Sequence, residues 1–281
     1  MRKLSKIMPK VDRKALKKYI SVFTISFQQE FAYRVNFIMW RVRNVMQFFL
    51  IFFLWDTIFA TPGVNVFGYT KAKILTYVFS LILIRSLVLS TRSVDIAPEI
   101  ARGDVSNLLL KPINYFKYWL TRDIASKVLN LSFAIFEAGI LFILLKPPFY
   151  FQGNILYILF FIVSITAAII LYFLLVLLFS MPTFWFPQQS WGFMFLLLVF
   201  VDILAGGVFP LDILPVGIQK IALLTPFPYL LFIPTEIYLG QLNYSSILGF
   251  LAVSMIWIFV LVYINQKVWN SGLRAYRAEG R

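Results

Sequence analysis

The sequence predicts an all-α integral membrane protein with six transmembrane helices, on three observations. Of its 281 residues, 60% are apolar and only 14% charged, against about half and a quarter in soluble domains. Several apolar runs reach the ~20 residues a helix needs to cross a bilayer. The basic residues are also unevenly placed: eleven of the 26 Lys and Arg lie in residues 1–43, six in 92–127 and four in 267–281. Only Lys71, Lys73, Lys146 and Lys220 fall in the other connections, and Arg85 sits inside an apolar run. That asymmetry follows the positive-inside rule and places both termini in the cytoplasm. The net charge of +14 does not point to nucleic acid, because no soluble domain presents it.

In chain order, residues 1–18 are basic but lead into no short apolar core with a cleavage site, so no cleavable leader is expected. From Val11 to Arg34 the apolar Leu16, Ile20, Phe23, Phe27 and Phe31 recur at helical spacing. Lys14, Lys18, Ser21 and Gln28 fall on the other face. Such a basic amphipathic helix lies in the membrane interface; a helix packed on a soluble partner would show the same pattern.

Span one covers Asn36 to Ala60, and its early Arg41 and Arg43 are placed to snorkel to the headgroups. Thr61-Pro62-Gly63 opens an outer loop. Span two, Ile74 to Ser90, carries Arg85. Span three runs from Ile124 to Leu145 and stops at Lys146-Pro147-Pro148. Span four is Ile155 to Ser180. A turn from Met181 to Gln189, with Pro182 and Pro187, leads to span five, Trp191 to Phe209. The apolar stretch Pro210 to Pro234 holds Pro210, Pro215, Pro226, Pro228 and Pro234. Lipid cannot satisfy the backbone groups so many prolines free, so the stretch reads as a re-entrant hairpin of two short helical pieces in the outer leaflet. Span six, Ser246 to Ile264, precedes a tail held inside by Lys267, Arg274, Arg277 and Arg281. The organisation is one domain over 1–281: an interfacial helix to residue 34, spans over 36–264 and a tail over 265–281.

Between spans two and three lies a charged island, Asp95 to Lys127, bearing Asp95, Glu99, Arg102, Asp104, Lys111, Lys117, Arg122, Asp123 and Lys127. Pro98 suits the first turn of a short helix and Gly103 a left-handed cap after it. Asp104 is placed to N-cap a second piece that ends before Pro112. The island reads as a helix–Gly–helix element on the membrane surface; an ordinary solvated loop fits the same residues.

The chain has no cysteine and no histidine. Thiol nucleophiles, Cys/His metal sites and imidazole bases are therefore excluded, and no catalytic or metal site is expected. Asp95 with Glu99 is the sole acidic pair in the island at helical spacing. The one P-loop-like glycine spacing, Gly63 to Gly68 followed by Tyr69-Thr70, lacks the lysine that phosphate binding needs.

Asp56, Arg85, Glu137 and Asp202 lie within spans, where a charge is costly unless paired or facing a cavity. At ~1.5 Å per residue, Arg85 lies about 9 Å from the end of span two at Thr91. By the same measure Glu137 is about 21 Å from Asp123, and Asp202 about 16 Å from Trp191. With the long Arg85 side chain reaching upward, Asp202 is its nearer match in depth and Glu137 the second. The alternative is that Arg85 snorkels downward unpaired.

Two stretches carry a resemblance. Glu99-Ile-Ala-Arg-Gly-Asp-Val-Ser-Asn-Leu-Leu-Leu-Lys-Pro112 resembles the segment between spans two and three of type-2 ATP-binding-cassette (ABC) permeases. Gly206-Gly-Val-Phe-Pro-Leu-Asp-Ile-Leu-Pro215, followed by Thr225-Pro-Phe-Pro228, is similar to the family's re-entrant segment. With the N-terminal helix and six spans, the likeness covers nearly the whole chain, and it is nearest to a subgroup thought to pair two dissimilar membrane subunits with an ATPase.

The resemblance implies the permease subunit of an exporter in a bacterial plasma membrane. It also implies a second permease subunit, and separate ATPase subunits that bind ATP and Mg, this chain itself holding no cofactor. Pro98 to Leu110 would be the coupling helix, with Glu99, Arg102 and Asp104 as polar contacts, Gly103 as its turn, and Val105 and Leu108 as apolar contacts. Gly206, Gly207, Phe209, Pro210 and Pro215 would form the re-entrant motif. A secondary transporter or channel, or an integral-membrane lipid-modifying enzyme, are the competing readings.

Overall fold

Among the described residues eleven α-helices carry the fold, and four of them start where a Thr or Asn side chain caps the first turn. They are α1 (Arg13–Ala32), α2 (Arg34–Ile58), α3 (Lys71–Val88), α4 (Ile96–Ala101), α5 (Val105–Leu109), α6 (Tyr115–Leu145), α7 (Ile155–Ser180), α8 (Ser190–Leu204), α9 (Val216–Leu223), α10 (Phe232–Tyr238) and α11 (Tyr244–Ala275). The computed structural model describes residues 13–32, 34–60 and 68–276. The basic stretch 1–12, the loop containing Thr61-Pro62-Gly63, and Arg277 and Arg281 of the tail lie outside the described residues.

Among the described residues five helices are long and apolar enough to cross a membrane: α2, α6, α7, α8 with its preceding turn, and α11. The sixth is α3, bent by 52° from the segment Ser93–Ala101 that follows it. Helix α7, the most apolar, is the centre of the bundle. It packs against α11, α10, α8 and α3, and its buried Ser164, Ala167 and Ala168 are small enough for close helix approach.

Side-chain caps set four of the helix starts. Thr70 accepts from the Lys73 N–H, Asn114 from Lys117, Asn154 from Leu156 and Asn243 from Ser246, each satisfying an otherwise orphaned donor. Asn114 starts span three at Tyr115, not Ile124. The 31-residue helix is about 46 Å long at ~1.5 Å per residue, longer than a hydrocarbon core of ~30 Å, so its first turns project out of the span.

Span five ends at Leu204, before Phe209, because Gly206 turns the chain at φ +75°. Tyr77 pins that turn by donating to the Gly206 carbonyl at 2.6 Å. Span six continues to Ala275, past Ile264, because Trp269 is buried there. Its ring lies 4.7 Å from Tyr115 and 5.5 Å from Phe184.

The proline-rich stretch, expected to hold two helical pieces, contains α9, short 3-10 turns at Leu211–Ile213 and Phe227–Tyr229, and the start of α10, which runs on past Pro234. Pro234 does not break α10, since it sits in the first turn where its missing N–H costs nothing. Helix α1 lies against α6 and α2. Leu16 and Ile20 of its apolar stripe face outward, while Ser26 and Glu30 face the bundle.

Candidate functional site

The joint between α3 and α4 is held by one turn of α6. Where a helix bends, carbonyls before the break and N–H groups after it lose their helical partners. Asp123, fully buried, takes the N–H groups: Oδ1 accepts from the backbones of Arg92 at 2.8 Å and Ser93 at 2.9 Å. Its Oδ2 accepts from the Thr91 hydroxyl at 2.6 Å. Lys127, one turn on, takes the carbonyls, donating to Val88 at 2.8 Å and Ser90 at 2.7 Å. Arg92 in turn donates to Glu30 of α1 at 2.5 Å. Span three, the bend and the surface helix are thereby one mechanical unit.

Beyond the joint, α4 ends at Gly103, φ +82°. Asp104 N–H bonds back to the Glu99 carbonyl and Gly103 N–H to Ile100, the paired bonds of a glycine-terminated helix. The left-handed cap expected at Gly103 is present. Asp104 does not cap α5 with its side chain; its carboxylate instead accepts from Arg102 Nε at 3.0 Å.

The six residues named on this element divide by face. Glu99, Gly103 and Val105 are buried, Arg102 is exposed, and Asp104 and Leu108 are half-buried. The inward set follows from the packing of α4 on the α7–α8 connection, which takes up Ile96, Ala97, Glu99 and Ile100 together. Leu109 and Leu110 point outward, Leu110 with 87% of its surface exposed.

Inside the spans, the charges pair differently from the depth count in one respect. Arg85 Nη2 lies 3.5 Å from Asp202 Oδ1, the first-ranked partner. Glu137, the second-ranked partner, is held instead by Arg41, whose Nε donates to Oε1 at 2.6 Å and whose Nη2 contacts Oε2. Arg41 therefore does not snorkel: a two-pronged carboxylate is within reach, and its fork geometry fits a guanidinium. Arg43, expected to reach the interface, lies 4.5 Å over the Trp40 ring. Asp56 is paired with Lys71 at 2.7 Å.

Arg41, Asn44, Gln47, Arg85, Ser86 and Glu137 line a cavity of about 50 Å³ between α2, α3 and α6. A second, mostly apolar cavity of about 400 Å³ opens between α1, α2 and α6, and the Arg41–Glu137 pair borders both. Gly207 of the glycine pair abuts the first cavity because its lack of a Cβ leaves room for the Arg85 guanidinium. Alanine at Gly207 is expected to push that guanidinium off both Gln47 and Asp202 and to cost about 1–3 kcal/mol, as overpacking does. A thermal melt unchanged by Gly207→Ala would count against this fit. Of the other residues in that stretch, Gly206 and Pro210 are buried, Phe209 is half-buried and Pro215 exposed.

Asp123, Lys127, Glu30 and the Arg41 partnership were not assigned from sequence. The signal for the first two was present: an acid four residues before a base on one helix face, at the mouth of an apolar run. A family model described as ABC-2 family transporter protein matches residues 45–280. No curated protein matches the chain.

Proposed function

The chain belongs to the ABC-2 transporter family and is a permease component of an ABC transporter; from that premise we propose that it forms half of an export pathway driven by separate ATPase subunits. ATP and Mg would bind those subunits. The observation that carries the reading is the α4–α5 element, which follows directly from a joint that Asp123 and Lys127 lock to α6, while Arg102, Asn107, Leu109 and Leu110 remain outward. A short element fixed to a long span transmits a push as a rigid body. ATPase closure against α4–α5 would tilt α3 and α6 together and open or close the cavities that the Arg41–Glu137 pair borders.

A second permease subunit, identical or dissimilar, would face α8. Asp202 has 55% of its side chain exposed, and an uncovered carboxylate in a span is costly in lipid. In this reading α4–α5 and both termini are cytoplasmic and the membrane is the bacterial plasma membrane.

The absence of cysteine makes the test clean. Leu110→Cys should crosslink to a co-purified P-loop ATPase subunit, and Val105→Cys, fully buried, should not. Leu110→Cys that reacts only from the external face, or leaves a bound ATPase uncrosslinked, would remove the proposed coupling surface.

A further inference from the structure

At the other end of α3, away from the joint, Tyr69 stands between two carboxyl groups. Its hydroxyl oxygen lies 2.8 Å from Asp212 Oδ2 and 2.7 Å from Glu236 Oε1. A phenol has one hydrogen, so it can donate to only one of them. The other short oxygen–oxygen contact must carry a proton from the carboxyl side. The environments decide which group that is: Glu236 is 1% exposed, whereas Asp212 is exposed. An ionised carboxylate belongs at the wet position and a neutral one in the dry position.

We propose that Tyr69, Asp212 and Glu236 form a proton-operated latch, in which a proton on Glu236 ties the α9–α10 segment to the start of α3. The order is Glu236 O–H to the Tyr69 oxygen, then Tyr69 O–H to the Asp212 carboxylate. On release, the Glu236 proton passes to Tyr69 as the Tyr69 proton passes to Asp212 and out to water. Glu236 is left as a buried carboxylate facing the phenol and a second carboxylate, and the three segments lose their common tie.

Among the described residues the cation that acts on Glu236 is Lys73, and it is committed elsewhere. From α3, Lys73 is engaged with Gln241 at 3.1 Å and lies over the Tyr150 ring, and Tyr77 donates to Gly206. The turn Phe227–Tyr229 contributes Tyr229, which donates to the Leu223 carbonyl. Helix α7 contributes Tyr157, bonded to the Leu242 carbonyl, and Tyr172. Tyr238 lies on α10 itself. Burial, then the nearby Asp212, push the Glu236 carboxyl up to about 8, against the pull of Tyr69 and Lys73. An unfolded glutamate titrates near ~4.3, so the group is raised on folding. Its contribution is complete below that value and is lost as pH rises through about 8.

The experiment uses the full chain in lipid nanodiscs, with an environment-sensitive dye on a single cysteine replacing Ile218 of α9, labelled near neutral pH and then titrated. The dye emission should shift with a midpoint near pH 8 in the otherwise native chain and stay flat in Glu236→Gln, whose amide keeps the donor. Infrared absorption of the native chain should show a protonated carboxyl at pH 7 that disappears by pH 10 and is missing in Glu236→Gln. Should Glu236→Gln fail to fold, Tyr69→Phe serves in its place: it cuts the relay and should move or abolish the dye midpoint. A pH-independent dye signal in the native chain, no protonated carboxyl at pH 7, or an unchanged titration in the variant would each overturn the latch.

Discussion

Asp123→Ala is expected to be among the most damaging single substitutions in the described chain, lowering stability by about 3–5 kcal/mol, the typical cost of removing one member of a buried charged network. Two backbone N–H groups and a hydroxyl lose their Asp123 acceptor at once, and of these only the Ser93 N–H keeps a second one, the Thr91 hydroxyl oxygen at 3.0 Å. Lys127 keeps its charge with only carbonyls around it. Asp123→Asn should fall between, because an amide retains one acceptor oxygen but neutralises the charge. The measurement is thermal unfolding of the detergent-solubilised protein, alongside ATPase stimulation in the assembled complex. If the joint transmits motion, a variant that still folds should bind the ATPase subunit and fail to couple. An Asp123→Ala chain as stable as the native one would show that the bend holds itself.

The second large effect is expected at the Arg41–Glu137 pair. Arg41→Met leaves the part-buried Glu137 without its counter-charge and should cost roughly 3–5 kcal/mol, as should Glu137→Leu from the other side. Replacing both removes two desolvated charges together, so the double variant should recover most of the loss. A double-mutant cycle reads this directly, and strictly additive losses would mean that the two residues do not interact. The Arg85–Asp202 coupling should be the smaller of the two, because its contact is 3.5 Å and Asp202 is half-exposed. The comparison also separates function from folding. A stable double variant at Arg41 and Glu137 with altered transport would mark the pair as the partition between the two cavities.

The sequence by itself determined the class of fold, a count of spans close to the five or six found, and the helix–glycine–helix element at Gly103. Those properties depend on local composition: apolar runs of spanning length, prolines that no lipid-exposed helix tolerates, glycine at the left-handed cap and basic residues gathered on one side. Each can be read within a window of some twenty residues. Helix ends were less legible, since Asn114 starts α6 and Gly206 ends span five through single side-chain or backbone bonds that periodicity does not register.

Only the tertiary structure decided the partners. Glu30 and Arg92, Arg41 and Glu137, Tyr69 and Glu236 are brought together across 62, 96 and 167 residues of chain. Depth counting matched Arg85 to Asp202, because both sit at a definable distance along their helices. It could not foresee that Arg41 would turn inward to Glu137, since depth along a helix axis says nothing about which face a neighbour presents. The same holds for α4 and α5, where Glu99 and Val105 are buried although their island is the most charged part of the interior sequence. A six-residue helix has too few positions for a hydrophobic period to reveal its inner face, and the floor made by the α7–α8 connection supplies it.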